Sequence, residues 1–278
     1  MNNAKDFYHN SNYIEAQTSR KIPPLKSPLP PFFKGRCSLA KVGNSPHTPL
    51  NNKAGGVLYV VSTPIGNLED ITLRALRILK EVDLIAAEDT RRTRKLLTHY
   101  EIHTPLTSFF EGNQIRKTQL LLEKLSQGQN IALVSDAGTP GISDPGYPII
   151  KACIDAGVQI VPIPGPSACI VAAVISGFPL HNFVFEGFLS SKSGKRRRQL
   201  ESLRDEVRTL IFYESPHRLV KFLRDAFEIL SDREIVIAYE LTKMFEGIYR
   251  GKISEALRKF QQEQPRGEFT IVIRGSET

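Results

Sequence analysis

Residues 135–146, Ser-Asp-Ala-Gly-Thr-Pro-Gly-Ile-Ser-Asp-Pro-Gly, constrain the fold of this chain more than any other stretch. They contain three glycines, two prolines and two aspartates, and they directly follow the apolar run Ile131–Val134. The glycines tolerate positive φ and the prolines fix turns, so the segment predicts a loop of fixed shape at a strand's end. A purely structural turn is the alternative, but the loop's length and position favour ligand binding.

The composition is typical of a globular protein with one large or two ordinary domains. The chain has 278 residues, of which 41% are hydrophobic and 24% are charged. It has no apolar run of about 18 residues, which a membrane helix needs, and no signal-peptide pattern near its start. The three cysteines show no paired spacing and the six histidines are scattered. We therefore expect a cytoplasmic protein with no metal site.

The net charge of +8 is concentrated at one end of the chain. Residues 1–52 contribute +5 and the remaining residues only +3. Residues 1–54 contain seven prolines and no helical or alternating apolar period, which predicts a disordered basic extension. An RNA-binding arm, a non-functional extension and a transit peptide are the alternatives for it, and we favour the second. A nucleic-acid site has to be sought in local basic clusters beyond residue 52.

Strand-like and helix-like segments alternate beyond residue 55. Five apolar strands are expected between residues 57 and 163, and amphipathic helices separate them, the first opening at Asp70. This pattern predicts an α/β domain with a mainly parallel sheet over residues 55–176. Residues 177–179 are a plausible hinge, and residues 177–278 predict a second α/β domain with a mixed sheet. The predicted fold class is thus α/β with two domains.

Five loops rich in small residues and proline follow predicted strands: Thr63–Asn67, Glu88–Arg94, Ser135–Gly146, Pro164–Ala168 and Glu214–Arg218. Because parallel-sheet proteins bind ligands at the carboxyl ends of strands, we expect these loops to meet in one cleft between the domains. The sequence has no Walker loop, no Gly-x-Gly-x-x-Gly after its first strand, no serine-hydrolase elbow and no His-Glu-x-x-His. Loops that offer mainly backbone groups suit a cofactor with an adenine and an amino-acid part.

Five motifs in this order resemble the tetrapyrrole methylase superfamily, and within it the enzymes that methylate small-subunit ribosomal RNA. They are Thr-Pro-Ile-Gly-Asn-Leu-Glu-Asp-Ile, Ala-Glu-Asp-Thr-Arg, the 135–146 loop, Ile-Pro-Gly-Pro-Ser-Ala and Phe-Tyr-Glu-Ser-Pro-His-Arg. The resemblance runs from about Val57 to Gly275 and departs at Phe245-Glu246-Gly247, where the family pattern has two acids after the aromatic residue.

The resemblance implies a tetrapyrrole methylase-like fold with S-adenosyl-L-methionine in the cleft between two domains, no metal, and a homodimer. It also implies 2′-O-methylation of a cytidine in the decoding region of 16S rRNA, within the small ribosomal subunit. The cofactor-binding residues carried over by position are Pro64, Gly66, Gly138, Thr139, Ile142, Ser143, Ser167, Ala168, Tyr213, Phe269 and Thr270.

A ribose hydroxyl is a weak nucleophile, so a general base would add roughly 10²–10⁴-fold to the rate. The candidates are Glu88, Asp89, Glu214, His217 and Lys243. Structural roles compete with this one, because Asp89 suits a helix N-cap, Glu214 can pair with a neighbouring arginine, and His217 suits a helix's first turn. We rank Glu88 and Glu214 first as catalytic residues.

Two basic clusters could hold RNA near the cleft, and the RNA-binding residues that we predict are Arg91, Arg92, Lys195, Arg196, Arg197, Arg198 and Arg218. A solvated helix face is the alternative for any single member. The cluster at 192–198 favours RNA contact because no local acid follows it before Glu201.

Two other functions stay open at this point. A methylase of a tetrapyrrole would use the same fold, but it predicts a first loop of the Gly-x-Gly-Pro-Gly type and leaves the basic clusters without a role. A non-catalytic RNA-binding relative would keep the pocket only for stability, and the intact cofactor loops argue against it. Binding of the methyl donor separates the enzymes from the binding protein.

Overall fold

The apolar segments form two five-stranded sheets in the computed structural model, which describes residues 55–277. The first sheet is parallel throughout and has the order β3-β2-β4-β1-β5. Its strands are β1 (Val57–Val61), β2 (Leu84–Ala87), β3 (Leu106–Ser108), β4 (Ile131–Val134) and β5 (Gln159–Ile163). This confirms the parallel sheet predicted from the alternating pattern. The predicted extension at residues 1–54 lies outside the described residues.

Helices cover both faces of this sheet; they are α1 (Leu73–Glu81), α2 (Thr90–His99), α3 (Gln114–Ser126) and α4 (Tyr147–Asp155). Helices α1 and α2 bury their apolar residues in one core with Val61 and Ile85. Helices α3 and α4 share another core with Leu58 and Ile131. The chain therefore leaves neighbouring strands β1 and β4 toward opposite faces, and such a reversal leaves a crevice at the carboxyl ends of the strands.

The predicted start of the first helix at Asp70 is wrong. Residues Leu68–Asp70 form a short 3-10 turn, and α1 begins at Leu73 because the Thr72 hydroxyl accepts a hydrogen bond from the Ala75 N–H at 3.1 Å. The apolar face predicted for this helix is nevertheless buried throughout; it consists of Ile71, Ala75, Ile78, Leu79 and Val82.

The segment Glu88–Arg94, predicted as a loop, is helical from Thr90 onward. Asp89 caps this helix, since its Oδ1 accepts a hydrogen bond from the Arg91 N–H at 2.8 Å. The four arginine and lysine residues of α2 lie on its exposed side. The inward-facing apolar stripe is too short to give a clear helical pattern among them in the sequence. The N-cap role considered for Asp89 is therefore what the structure shows.

The second sheet is mixed and has the order β6-β7-β10-β8-β9. Its strands are β6 (Phe183–Phe188), β7 (Thr209–Glu214), β8 (Glu234–Tyr239), β9 (Gly247–Lys252) and β10 (Phe269–Ile273), and only the β6–β7 pair is parallel. Helices α6 (Ser193–Glu201), α7 (Pro216–Leu230) and α8 (Ile253–Gln262) contribute to the core on one face of the sheet. The prediction of an α/β chain with a parallel and a mixed sheet is confirmed.

Helix α5 (Ala168–Ser176) follows the last strand of the first sheet but packs on the second sheet. Its Cys169, Ala172 and Ala173 are buried in one apolar cluster with side chains of β7, β8 and β10. These small residues let the helix approach the sheet closely. The boundary at 176/177 stays a prediction, because residues on both sides of it share this cluster and residues 53–278 form one compact unit.

Two of the four side chains of the basic run 195–198 form ion pairs within the protein. Arg196 is only 3% exposed, and its Nε and Nη2 lie 2.7 and 2.6 Å from Asp225 Oδ2 on α7. Arg197 pairs with Asp225 at 3.0 Å and also with Glu228. The run has no acid neighbour in sequence before Glu201, as stated above, but a helix distant in sequence supplies partners for two of its four members. Lys195 and Arg198 remain exposed.

Within the described residues, no helix has the length and apolar composition needed to cross a bilayer.

Removing Asp225 tests the energetic importance of this ion pair. We expect Asp225→Ala to lower the free energy of unfolding by about 3–5 kcal/mol, since it strands the buried Arg196 charge. The double variant Arg196→Met/Asp225→Leu should lose much less, because no charge is left unpaired. Urea denaturation of each variant measures these differences.

The matched control is Glu228→Ala, because this carboxylate is 48% exposed and pairs only with the half-exposed Arg197. An exposed pair contributes about 0–1 kcal/mol. Equal losses of stability in Asp225→Ala and Glu228→Ala would contradict the role assigned to the buried pair.

Candidate functional site

The strand-end loops surround a cavity of about 330 Å³. Each of the five predicted loops contributes to its wall, for example through Ile65, Glu88, Gly138, Ser167 and Glu214. The start of β10 and the residues before it close the remaining side. This volume lies within the range of roughly 300–1,000 Å³ found for small-ligand pockets. The predicted convergence of these loops on one hollow is confirmed.

The loops after β1 and β4 are fastened to each other at the bottom of the cavity. Thr63 N–H donates to Gly138 O at 2.8 Å, and Gly138 N–H donates to Thr63 O at 3.0 Å. A third hydrogen bond of 2.9 Å joins the hydroxyls of Ser62 and Thr139. Gly138 has a φ of 82°, which a side chain would strain. The 135–146 loop is therefore held in place by hydrogen bonds to the loop after β1.

Nine of the eleven predicted cofactor residues line the cavity; they are Gly138, Thr139, Ile142, Ser143, Ser167, Ala168, Tyr213, Phe269 and Thr270. Pro64 and Gly66 do not line it, and the intervening Ile65 does. Gly66 serves instead as a point of close packing, because a Cβ there would lie 2.4 Å from Lys243 Cγ and 2.9 Å from Leu241 O. Contact of Pro64 and Gly66 with the cofactor stays a prediction.

An aromatic group forms one side of the cavity. Tyr213 Oη accepts a hydrogen bond from Cys169 N–H at 3.1 Å and so supports the first turn of α5. The ring of Phe188 lies 5.5 Å from the Tyr213 ring and is 52% exposed toward the cavity mouth. Phe188 could not be predicted from the sequence, because a register shift between Phe185 and Gly187 decides which way this part of β6 faces.

The cavity wall is acidic; its carboxylates are Glu88, Asp136, Asp144, Glu214 and Glu268. Three of them have basic partners, since Arg92 pairs with Asp136, Arg218 with Glu214 and Lys243 with Glu268 at 3.3, 2.9 and 3.1 Å. Within residues 55–277, no basic nitrogen lies within 4.0 Å of a Glu88 or Asp144 oxygen. The cavity therefore favours a ligand that carries positive charge.

Glu88 and Asp144 have environments that favour their protonated forms. Burial, with the charge of Glu88 as the next cause, raises the pKa of Asp144 to about 6, against a hydrogen bond from Ser135. Burial also raises the pKa of Glu88, although the Asp136 N–H donates to its Oε2 at 3.3 Å. Asp144 can consequently take up a proton near neutral pH. Asp144 was part of the recognised loop but was not singled out from the sequence.

Glu214, the other predicted catalytic residue, is committed to neighbouring groups. Its Oε1 accepts a hydrogen bond from Ser215 N–H at 2.8 Å, and its Oε2 accepts one from Arg218 Nη2 at 3.0 Å. Burial raises the pKa of this side chain in spite of Arg218. Arg218 also donates to Leu189 O. Through these contacts, both Glu214 and Arg218 have a structural role.

The other candidate bases are placed less favourably. Burial acts to lower the pKa of Lys243, but hydrogen bonds to Glu240 and Glu268 outweigh it and raise that pKa, so the amine stays charged. Arg91 holds the pKa of Asp89 well below its usual range. His217 does not line the cavity. In the part of the chain that the structure describes, no three His, Cys, Asp or Glu side chains are grouped to hold a metal ion.

The predicted RNA-binding residues separate into two groups. Arg91 and Arg92 lie on α2, where Arg92 lines the cavity and Arg91 forms an ion pair with Asp89 at 2.7 Å. Lys195 and Arg198 are exposed on α6, none of whose residues lines the cavity.

Comparison with known proteins shows the family of this chain. Residues 57–257 match the family described as Tetrapyrrole (Corrin/Porphyrin) Methylases. The chain is 51% identical over 222 residues to ribosomal RNA small subunit methyltransferase I of Thermotoga maritima, covering 80% of this chain and all of that protein. It is 52% identical to the protein of the same name from Synechocystis, covering 80% of each.

A solved structure shows the same fold at low identity. Uroporphyrin-III-C-methyltransferase from Thermus thermophilus has a TM-score of 0.55 and 20% identity, covering 78% of this chain and 94% of that one. The motifs, the two sheets and the relatives together show that the chain belongs to the tetrapyrrole methylase family, as a methyltransferase related to ribosomal RNA small subunit methyltransferase I.

Proposed function

We propose that the protein transfers a methyl group from S-adenosyl-L-methionine to the ribose 2′-hydroxyl of a cytidine in the decoding region of 16S rRNA. Methyl transfer agrees with the family, and relatives that are about half identical bear the name of a small-subunit ribosomal RNA methyltransferase. The observation that carries the proposal is the acidic cavity in which the five recognised loops meet.

The cavity suits this cofactor in charge and in the groups that it offers. The methyl donor carries a positive sulfonium and an ammonium group, and the two carboxylates without basic partners, Glu88 and Asp144, favour such charges. The hydroxyls of Thr139 and Ser143 and the backbone of the 135–146 loop offer hydrogen bonds for the amino-acid part and the ribose. Tyr213 and the first residues of β10 provide the wall for the adenine.

The methyl donor supplies a methyl group on a cationic sulfur, so the protein has to position the acceptor oxygen and remove its proton. Positioning in a fixed site supplies a large part of the rate enhancement of such a reaction. Glu88 is the residue that we assign as proton acceptor, because it lines the cavity without an ion-pair partner and burial raises its pKa. The negative charge of Asp136 raises this pKa further.

Glu214 contributes in a different way. Its hydrogen bonds to Ser215 N–H and Arg218 fix the turn between β7 and α7, which forms part of the cavity wall. We therefore assign it as a positioning residue, and Arg218 with it, in place of the catalytic and RNA-binding roles expected from the sequence.

We further propose that the enzyme works in the cytoplasm as a homodimer. Exposed apolar side chains suit contact with a second copy: Ile170 and Val174 lie on α5, and Ile248 lies on the edge strand β9, whose Arg250 donates a hydrogen bond to Ile175 O of α5. Phe245 and Met244, in the loop before β9, are 76% and 90% exposed. Sedimentation velocity would show a monomer if this assignment were wrong.

One assay tests the function directly. Small ribosomal subunits from cells that lack the enzyme are incubated with the protein and labelled methyl donor, and the RNA is digested to map the label. We expect label on a ribose in the decoding region. Label in a base, in another RNA, or only in an added tetrapyrrole would overturn the proposal.

Gly138→Ala should weaken binding of the methyl donor about tenfold. A residue with a side chain costs roughly 1–2 kcal/mol at positive φ, and relief of this strain would shift the loop that holds the donor. Isothermal titration measures the dissociation constant. Gly128→Ala is the matched control, because Gly128 has a similar φ of 88°, with open space around it and no place in the cavity wall. Equal effects on donor binding would exclude a specific role for Gly138.

Glu88→Gln should slow single-turnover methyl transfer by roughly 10²–10⁴-fold while the donor still binds. In the unmodified protein the rate should rise with pH through the titration of this buried carboxyl and then level off, because the base acts only when deprotonated. Asp136→Asn removes a neighbouring negative charge that raises the pKa of Glu88, so it lowers this pKa and moves the rise to lower pH.

Glu214→Gln provides the contrasting variant. It should lower the melting temperature, because it weakens the contact with Arg218, and leave the shape of the pH profile unchanged. A flat profile in Glu214→Gln together with a normal rate in Glu88→Gln would reverse the two assignments.

A further inference from the structure

We propose that the exposed face of α2 is the surface along which the phosphates next to the target nucleotide bind. This inference rests on the proposed function and makes it more specific, because it assigns the RNA strand to one helix at the cavity rim. The face, here called the α2 cationic face, consists of Arg91, Arg94, Lys95, Thr98 and His99.

The helix starts at the cavity and leads away from it. Glu88, two residues before α2, and Arg92, in its first turn, both line the cavity. The residues of the α2 cationic face are all exposed, on the solvent side of the same helix. A helix of this length extends about 15 Å, which corresponds to roughly four stacked nucleotides. A strand with one ribose in the cavity can therefore continue along α2.

The charge on this face matches a phosphate backbone. Helix α2 contains four basic residues and no acidic one. Arg91 and Arg92 are oriented by Asp89 and Asp136. Arg94 and Lys95 are exposed, and no carboxylate of residues 55–277 lies within 4.0 Å of either cation. Arg94 and Lys95 are thus available to neutralise phosphates without first breaking an ion pair within this region.

The other basic cluster is less suited to this task. Arg196 and Arg197 are held by the carboxylates of α7, which leaves Lys195 and Arg198 as its exposed charges. Since no residue of α6 lines the cavity, contacts there cannot set the position of the reacting ribose directly. The two clusters have similar sequences. They differ in their distance from the cavity and in how many of their charges are already paired.

A charge-matched pair of variants tests the proposal. Arg94→Gln/Lys95→Gln removes two charges from the α2 cationic face, and Lys195→Gln/Arg198→Gln removes two from α6. The probe is a fluorescent 16S rRNA fragment that spans the decoding region, titrated at several salt concentrations. Single-turnover methyl transfer to small subunits and isothermal titration with the methyl donor are measured for the same proteins.

The α2 variant should bind the RNA about 10–30-fold more weakly near 0.15 M salt, and its log–log salt slope should fall by about 1.4–1.8. Donor binding and the melting temperature should not change, and the α6 variant should lose clearly less RNA affinity than the α2 variant. Unchanged RNA affinity in the α2 variant, or an equal loss in the α6 variant, would overturn the inference. Absence of methyl transfer by the unmodified protein would instead overturn the proposed function, and the binding titration would still decide the role of α2.

Discussion

The pair of backbone hydrogen bonds between Thr63 and Gly138 is the interaction on which the site depends. It joins the ends of two neighbouring parallel strands whose following helices lie on opposite faces of the sheet. A crevice at such a point is a general result of α/β topology. The two hydrogen bonds between Thr63 and Gly138 hold the two loops at this crevice in fixed relative positions. The left-handed backbone conformation of Gly138 allows these hydrogen bonds to form.

Much of the fold could be predicted because its elements have strong local signals. Continuous apolar runs indicated buried strands, and glycine and proline clusters marked where they end. Helix α2 could not be recognised in the same way, since its apolar stripe is short and its other residues are basic. Its start depends on the capping carboxylate of Asp89, and an aspartate at this position is compatible with a loop as well as with a helix N-cap.

The loops that form the site could be predicted from the sequence. Which of its charged side chains are already paired could not. The loops were found because their glycines and prolines are constrained by local conformation. Whether a carboxylate or a guanidinium is available depends on partners far away in sequence. Arg196 pairs with Asp225, and Glu214 is held by Arg218, so neither side chain is as available as its local sequence suggested. Within residues 55–277, Glu88, Asp144, Arg94 and Lys95 have no such partner.

The placement of α5 has a consequence for how the protein exchanges its cofactor for the spent product. This helix belongs by sequence to the first half of the chain and is buried against the sheet of the second half. Swinging the halves apart would expose that apolar interface, at about 25 cal/mol for each Å² uncovered. Separation of the two sheets as a route for this exchange would therefore carry a free-energy cost that grows with the apolar area of α5 uncovered.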